Sequence, residues 1–269
     1  MTGGRGSWSA VVTAFNSAET LGMTLDSLLS LPDGEKPLDI TVVDNLSSDN
    51  SRETALSRPG VRLIANRRNT GLARANNLGA DHSRGESLFF LNPDATVTPG
   101  CIDTLTAFAG EHPDAALLGP GTVGADGTHR STARTWPSLS SVAARRTPFG
   151  VTGLGRSVAD RHLHSFPPTA PAKVPWLVGA ALWLTPRGRS TVGLMNPAYF
   201  LYFEDVEWCW RAWTKRMEVW YVPEARVIHE CRRQSAGFPG RAAVHHFVSM
   251  LRFFLHHPSA LLGKGPGPR

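Results

Sequence analysis

The sequence predicts an α/β fold, a mainly parallel sheet with helices on both faces. Three observations lead to it. Short apolar runs alternate with segments of helical spacing through the first third of the chain. Pro, Gly, Asn and Asp turn signals separate them. Polar residues gather where the apolar runs stop, at the edge where such a sheet collects ligands.

The elements follow in order. Trp8 to Ala14 reads as a first strand, and Leu21, Leu25, Leu28 and Leu29 recur at helical spacing until Pro32-Asp33-Gly34 closes the run. Leu38 to Asp44 is a second strand. Ser48 or Asp49 can cap a second helix that ends near Pro59-Gly60. Val61 to Ala65 is a third strand, and a third helix runs from Asn69-Thr70-Gly71 to about Gly79. Ser87 to Asn92 is the fourth strand. Residues 119–175 are rich in Gly, Pro, Ser, Thr and Arg with weak periodicity, as expected of an insertion or a mobile loop. Val174 to Thr185 returns as an apolar, β-capable run interrupted by Gly179-Ala180, where close strand packing and backbone approach to a ligand are both open readings.

Composition narrows the class. The 269 residues suffice for a sizeable core, and 41% hydrophobic against 19% charged residues excludes a mainly disordered chain. Cys101, Cys209 and Cys231 form no CxxC pair, so neither a disulfide scaffold nor a cysteine zinc site is expected, and a reducing compartment is. The start of the chain lacks the basic-then-apolar order of a secretory signal. The most apolar stretch, Trp176 to Leu184, is about half the ~20 residues a spanning helix needs. The net charge of +6 suits phosphates or an anionic membrane, but no nucleic-acid reader motif accompanies it, and no nucleic-acid partner is expected.

Carboxylates carry the candidate chemistry. Asp44 ends the second strand, and Asn92-Pro93-Asp94 ends the fourth. Glu204-Asp205 follows the aromatic run Tyr199 to Phe203 and precedes a helical pattern whose Val206, Cys209, Trp210 and Trp213 share one face, with Glu204, Glu207, Trp208 and Arg211 on the other. Asp205 is either an N-cap or a general base for a substrate hydroxyl. His229 ends the apolar run Ala225 to His229; it reads as a bonded core imidazole or, with Asp94, as half of a divalent-cation site completed by phosphates.

These stretches resemble those of family-2 inverting glycosyltransferases with the GT-A nucleotide-diphospho-sugar fold, a Rossmann-like sheet. Matching segments are Val11 to Asn16, Val42 to Ser51, Asn66 to Gly71 with Asn76 to Gly79, Leu91 to Ala95, Gly179-Ala180, and Phe200 to Glu207. Their order is the family's. The Asn-Pro-Asp form is similar to rhamnosyltransferase-like members, which implies transfer of L-rhamnose from dTDP-L-rhamnose to a lipid-linked or cell-surface glycan. The alternatives are a UDP- or GDP-sugar donor, or a non-catalytic nucleotide-sugar binding module. The resemblance implies that Asp205 is the base and Glu204 a positioning acid, and that Ala14, Asn16, Asp44, Asn76, Asn92, Asp94 and Gly179 meet the nucleotide sugar. It also implies that Asp94 and His229 hold Mg²⁺ or Mn²⁺. Two departures stand out: Asn92 replaces the first Asp of the family's Asp-x-Asp, and Met195-Asn196 replaces its Phe-Asp.

The implied organisation is a loose end over 1–7, a transferase domain over 8–230 with nucleotide-binding (8–118) and acceptor-side (119–230) halves, a helical segment over 231–262, and a flexible tail over 263–269. The polyprenyl-linked or glycan acceptor implies work in the cytoplasm, at the inner membrane face. For the helix carrying Phe247, Leu251, Phe254 and Leu255, docking on the domain and contact with a membrane are both open.

Overall fold

A computed structural model describes residues 6–124, 127–146, 152–153, 157, 170–229 and 239–268. Cys231 and most of 147–169 lie outside the described residues. Four parallel strands come first: β1 (Trp8–Ala14), β2 (Asp39–Asp44), β3 (Val61–Ala65) and β4 (Ser87–Leu91). They lie in the order β3-β2-β1-β4. Between them run α1 (Ala18–Leu29), α2 (Ser51–Leu56) and α3 (Leu72–Asp81), as the periodicity predicts. Asp49 accepts from the N–H of Ser51 at 3.1 Å and of Ala18 at 2.9 Å, so one carboxylate caps the starts of both α1 and α2.

Beyond β5 (Ala95–Val97) and α4 (Cys101–Glu111) the sheet becomes mixed. β6 (Ala115–Val123) is followed by the short pairs β7 (His129–Arg130) and β8 (Ala133–Arg134), then by α5 (Leu139–Arg146). After β9 (Ala172–Lys173), the predicted run Val174 to Thr185 divides at Gly179-Ala180 into β10 (Trp176–Leu177) and β11 (Ala181–Leu184). β11 inserts antiparallel between β4 and β6. The sheet is therefore less parallel than its first half. Next come α6 (Pro186–Thr191), α7 (Glu204–Thr214), β12 (Glu218–His229) and α8 (Pro239–His256). β12 begins before the predicted run Ala225 to His229, because an irregularity between Val222 and Arg226 absorbs Pro223 without breaking the pairing to β6.

Strand alternation divides the core into two layers. On β4, Phe89 packs with Leu21, Leu25 and Leu105 of α1 and α4, while Phe90 meets Trp208 edge-on on the opposite face, with ring centroids 5.4 Å apart. Both faces of α7 are buried. Arg211 pairs with Glu207 at 3.0 Å and donates to the carbonyls of Val192 and Leu194, so the polar face of this helix clamps the preceding loop rather than meeting water. Residues 263–268, expected as a flexible tail, lie against the domain. The Trp136 indole donates to the carbonyl of Pro266 at 3.0 Å, and a Cβ on Gly265 would collide with Trp136 and Trp210.

Candidate active site

The site forms where β1, β2 and β4 end and β11 begins. Ala14 stands in register with Asp44, and Ala181 with Leu91, so the polar residues after each strand share one edge. Four of the five non-glycine residues with left-handed backbone among the described residues, Asn16, Leu46, Tyr202 and Phe203, belong to the loops at this edge. Backbone strain of this kind concentrates at functional sites.

On the β1–β2 side, Asp44 is fully buried and accepts from Arg52 Nε at 2.6 Å and from the Ser47 N–H at 3.2 Å. Asn16 accepts from the Ser48 N–H at 2.8 Å and donates its own N–H to Ser47 Oγ at 3.0 Å, tying the two loops together. The carbonyl of Ala14 takes the Asn45 N–H at 2.8 Å. Asn76 lies deeper: its amide accepts from Thr13 Oγ1 at 2.7 Å and donates to Met195 Sδ at 3.4 Å, bracing β1 against the loop before α7.

Across the edge, Asn92 donates its N–H to the carbonyl of Ala180 at 2.9 Å, and the neighbouring Gly179 N–H donates to Asp205 Oδ2 at 2.9 Å. Asp205 Oδ1 accepts the Val206 N–H at 2.8 Å. Each carboxylate oxygen thus has a backbone donor. Glu204 is buried, and its Oε2 has no hydrogen-bond partner among the described residues. Burial raises the pKa of both acids, Glu204 further because the neighbouring Asp205 charge adds to it; for Asp205 the backbone N–H groups of Gly179 and Val206 oppose the rise. The pair therefore favours one negative charge, on Asp205.

Asp94 Oδ1 lies 3.1 Å from His229 Nε2. One carboxylate oxygen and one imidazole nitrogen suit a divalent cation. No cluster of three or more His, Cys, Asp or Glu that could hold a metal occurs among the described residues, so phosphate oxygens and water would fill the other positions, as is usual for Mg²⁺. On those terms the pair fits. A groove of about 670 Å³ is walled by Asp94 with Thr20, Asp26 and Ile228, and includes neither Asp44 nor Asp205.

Several residues that link the two sides carry no role in the sequence reading. Asn45 donates to Asn69 Oδ1 at 2.9 Å and accepts from the Thr70 N–H at 2.9 Å. Gly71, at φ +84°, then packs where a Cβ would stand 2.4 Å from the carbonyl of Phe200, and Leu72 donates its N–H to that carbonyl at 2.7 Å. Asn77 grips Met195 through both backbone groups, at 2.7 and 3.1 Å. The density of Asn in strand-end turns is the available signal, since its short amide satisfies loop backbone.

Comparison with known proteins gives a consistent result. Residues 9–160 match the profile of glycosyl transferase family 2. The chain is 30% identical over 227 residues to the N-acetylglucosaminyl-diphospho-decaprenol L-rhamnosyltransferase of Mycobacterium tuberculosis H37Rv, covering 79% of this chain and 73% of that protein. It is 21% identical over 193 residues to the dTDP-rhamnosyl transferase RfbF of Shigella flexneri, or 71% of this chain and 59% of that one. Among solved structures, GalNAc-T7 with UDP, GalNAc and Mn²⁺ superimposes with a TM-score of 0.63 at 20% identity, over 84% of this chain. This chain spans 44% of that enzyme's length. The fold is that of the GT-A glycosyltransferases.

Proposed function

Because the chain belongs to glycosyl transferase family 2, we propose that it moves L-rhamnose from dTDP-L-rhamnose onto a lipid-linked glycan with inversion at the anomeric carbon, Asp205 acting as general base. One observation carries the catalytic part. Asp205 is anchored to Gly179, and the adjoining Ala180 carbonyl takes the Asn92 N–H, so the base is joined through two successive backbone groups to the strand end that carries Asn92 and Asp94. The two relatives that act as rhamnosyltransferases supply the donor and acceptor class.

Each residue's part follows from its chemistry. Asp44 accepts the N–H of the pyrimidine base, and the strapped Asn16 loop with Ala14 lines the nucleoside. Asp94 and His229 would hold a divalent cation against the diphosphate; bound there, it would neutralise charge developing on the leaving group. Asn92 and Gly179 place backbone beside the donor sugar, and Asn76 fixes β1 from beneath. Asp205 takes the proton of the acceptor hydroxyl as that oxygen attacks. The two backbone N–H groups on its carboxylate fix its aim. Neutral Glu204 keeps a second negative charge away from the attacking oxygen, and a single displacement gives inversion.

The test is transfer assayed with dTDP-, UDP- and GDP-sugars on a polyprenyl-diphosphate acceptor. Wild type should use dTDP-rhamnose selectively. Asp205→Asn should lose roughly 10²–10⁴-fold in turnover while still binding nucleotide. Wild-type turnover in that variant would refute the base assignment.

A further inference from the structure

We propose that the outward face of α8 docks on an anionic lipid bilayer and thereby sets the Glu204–Asp205 acid pair beside the membrane. The inference rests on the lipid-linked acceptor class proposed above. It starts from a helix with two apolar faces. Phe253 and Phe254 are buried, with Phe253 meeting Phe203 and Trp210 at ring-centroid distances of 5.5 Å. Val244, Phe247, Val248, Leu251 and Leu255 recur at spacings of three and four on a different face, and every one of them is exposed. Leu255 is 72% accessible, and Leu262 just beyond the helix is 74% accessible. A contiguous apolar stripe of this size marks an interaction surface.

Charge identifies the occupant. Residues 231–269 contain six Lys and Arg and no Asp or Glu, while the preceding 230 residues contain 22 of each sign. The whole net charge of +6 therefore belongs to the segment that carries this helix. Arg252, next to Leu251 on the helix, is exposed, and so is Lys264 beyond the helix end. An apolar stripe flanked by cations is the composition of a helix lying in the interface of an anionic bilayer, with apolar side chains among the acyl chains and cations at the head groups. A second copy of the chain would bring the same cations face to face without a counter-charge from this segment. The helix is 18 residues long, and no helix among the described residues is long and apolar enough to cross a membrane, so α8 would lie along the surface.

Its seat connects the surface to the chemistry. His245 stacks on Phe200 at 4.2 Å, and Ser249 Oγ donates to the carbonyl of Leu201 at 2.9 Å. Phe200 and Leu201 belong to the turn that delivers Glu204 and Asp205 to the start of α7. A bilayer on the outer face of α8 lies next to that turn, within reach of an acceptor whose polyprenyl chain stays in the membrane.

The test is sedimentation of the full chain with vesicles of phosphatidylcholine, with and without phosphatidylglycerol, alongside sedimentation equilibrium and nucleotide binding. The parent chain should bind the anionic vesicles, less so at high salt, and not the neutral ones. Leu251→Asp with Leu255→Asp should weaken that binding by roughly a hundredfold, since withdrawing each buried Leu costs a factor of ten or more. Circular dichroism and nucleotide affinity should be unchanged in the double variant. Failure of the parent to bind anionic vesicles, or full binding by the double variant, overturns the proposal. So does a parent dimer that the double variant dissociates, because the face is then a self-interface. Nucleotide binding without vesicle binding removes the docking surface alone; vesicle binding without donor use keeps the surface and removes the transferase reading.

Discussion

The Gly179 N–H donates to Asp205 Oδ2 at 2.9 Å, so the first turn of α7 is tied to the bend that opens β11. A Cβ on Gly179 would stand 3.4 Å from the same oxygen, an ordinary contact, and a branched side chain there would bear on that carboxylate first. Gly179→Ala should therefore keep most activity. Gly179→Val should displace the carboxylate and lower turnover by roughly tenfold or more, since misplacing a reacting group is costly, while unfolding shifts little. Steady-state kinetics and denaturant unfolding on the two variants separate the effects.

Gly71 supports the opposite side of the same acid pair. Gly71→Ala meets both the left-handed backbone and the Phe200 carbonyl 2.4 Å from the new Cβ. Gly100 has the same φ of +84° with open space around it. Gly100→Ala should then cost only the conformational penalty, about 1–2 kcal/mol, and Gly71→Ala distinctly more, with loss of activity. Urea unfolding of both variants measures the difference.

The raised pKa of Glu204 has a consequence for stability. A carboxyl whose folded pKa lies above its unfolded value retains more protons in the native state, so stability is full below the ordinary glutamate range and falls as pH rises through the elevated value. Glu204→Gln cannot ionise. It should match wild type near pH 4 and exceed it above neutral pH, where each pKa unit of elevation corresponds to about 1.4 kcal/mol. Unfolding midpoints at both ends of the range check the sign. For Asp205, burial moves the base upward, so the acid limb of kcat/KM should lie above the ordinary aspartate range.

Asp94 and His229 predict a metal phenotype. Asp94→Asn should abolish the extra thermal shift that Mn²⁺ gives to bound nucleotide, and leave the metal-free shift intact. A retained Mn²⁺ increment would place the cation elsewhere.

Asp44 predicts selectivity. Asp44→Asn exchanges an anionic acceptor for a neutral one and weakens the bond to Arg52, so KM for a pyrimidine nucleotide sugar should rise about tenfold with kcat nearly unchanged. An equal fall in kcat would give Asp44 a part in the chemical step.

Local pattern made the first half of the fold legible. β1 and β3 occupy the residues their apolar runs mark, and Asp49, one residue before the N-cap Asn50, bonds the first N–H of α2. These features depend on neighbours in the chain, which periodicity records. Asp44 at the end of β2 and Glu204-Asp205 at a helix start were legible for the same reason.

Partners distant in sequence decided the rest. Insertion of β11 antiparallel between β4 and β6, burial of the polar face of α7 through Arg211, and seating of the 263–268 segment on tryptophans each depend on surfaces more than a dozen residues apart. Which acids end which elements could be read along the chain, because a strand end or helix start is a local event. The pairing of Asp94 with His229 agrees with what the resemblance implies, whereas the hold of Gly179 on Asp205 and the division of α8 into a buried and an exposed apolar face emerge from the folded chain. Hydrogen bonds and desolvation depend on distance in space, and the spacing of residues along a chain does not fix that distance.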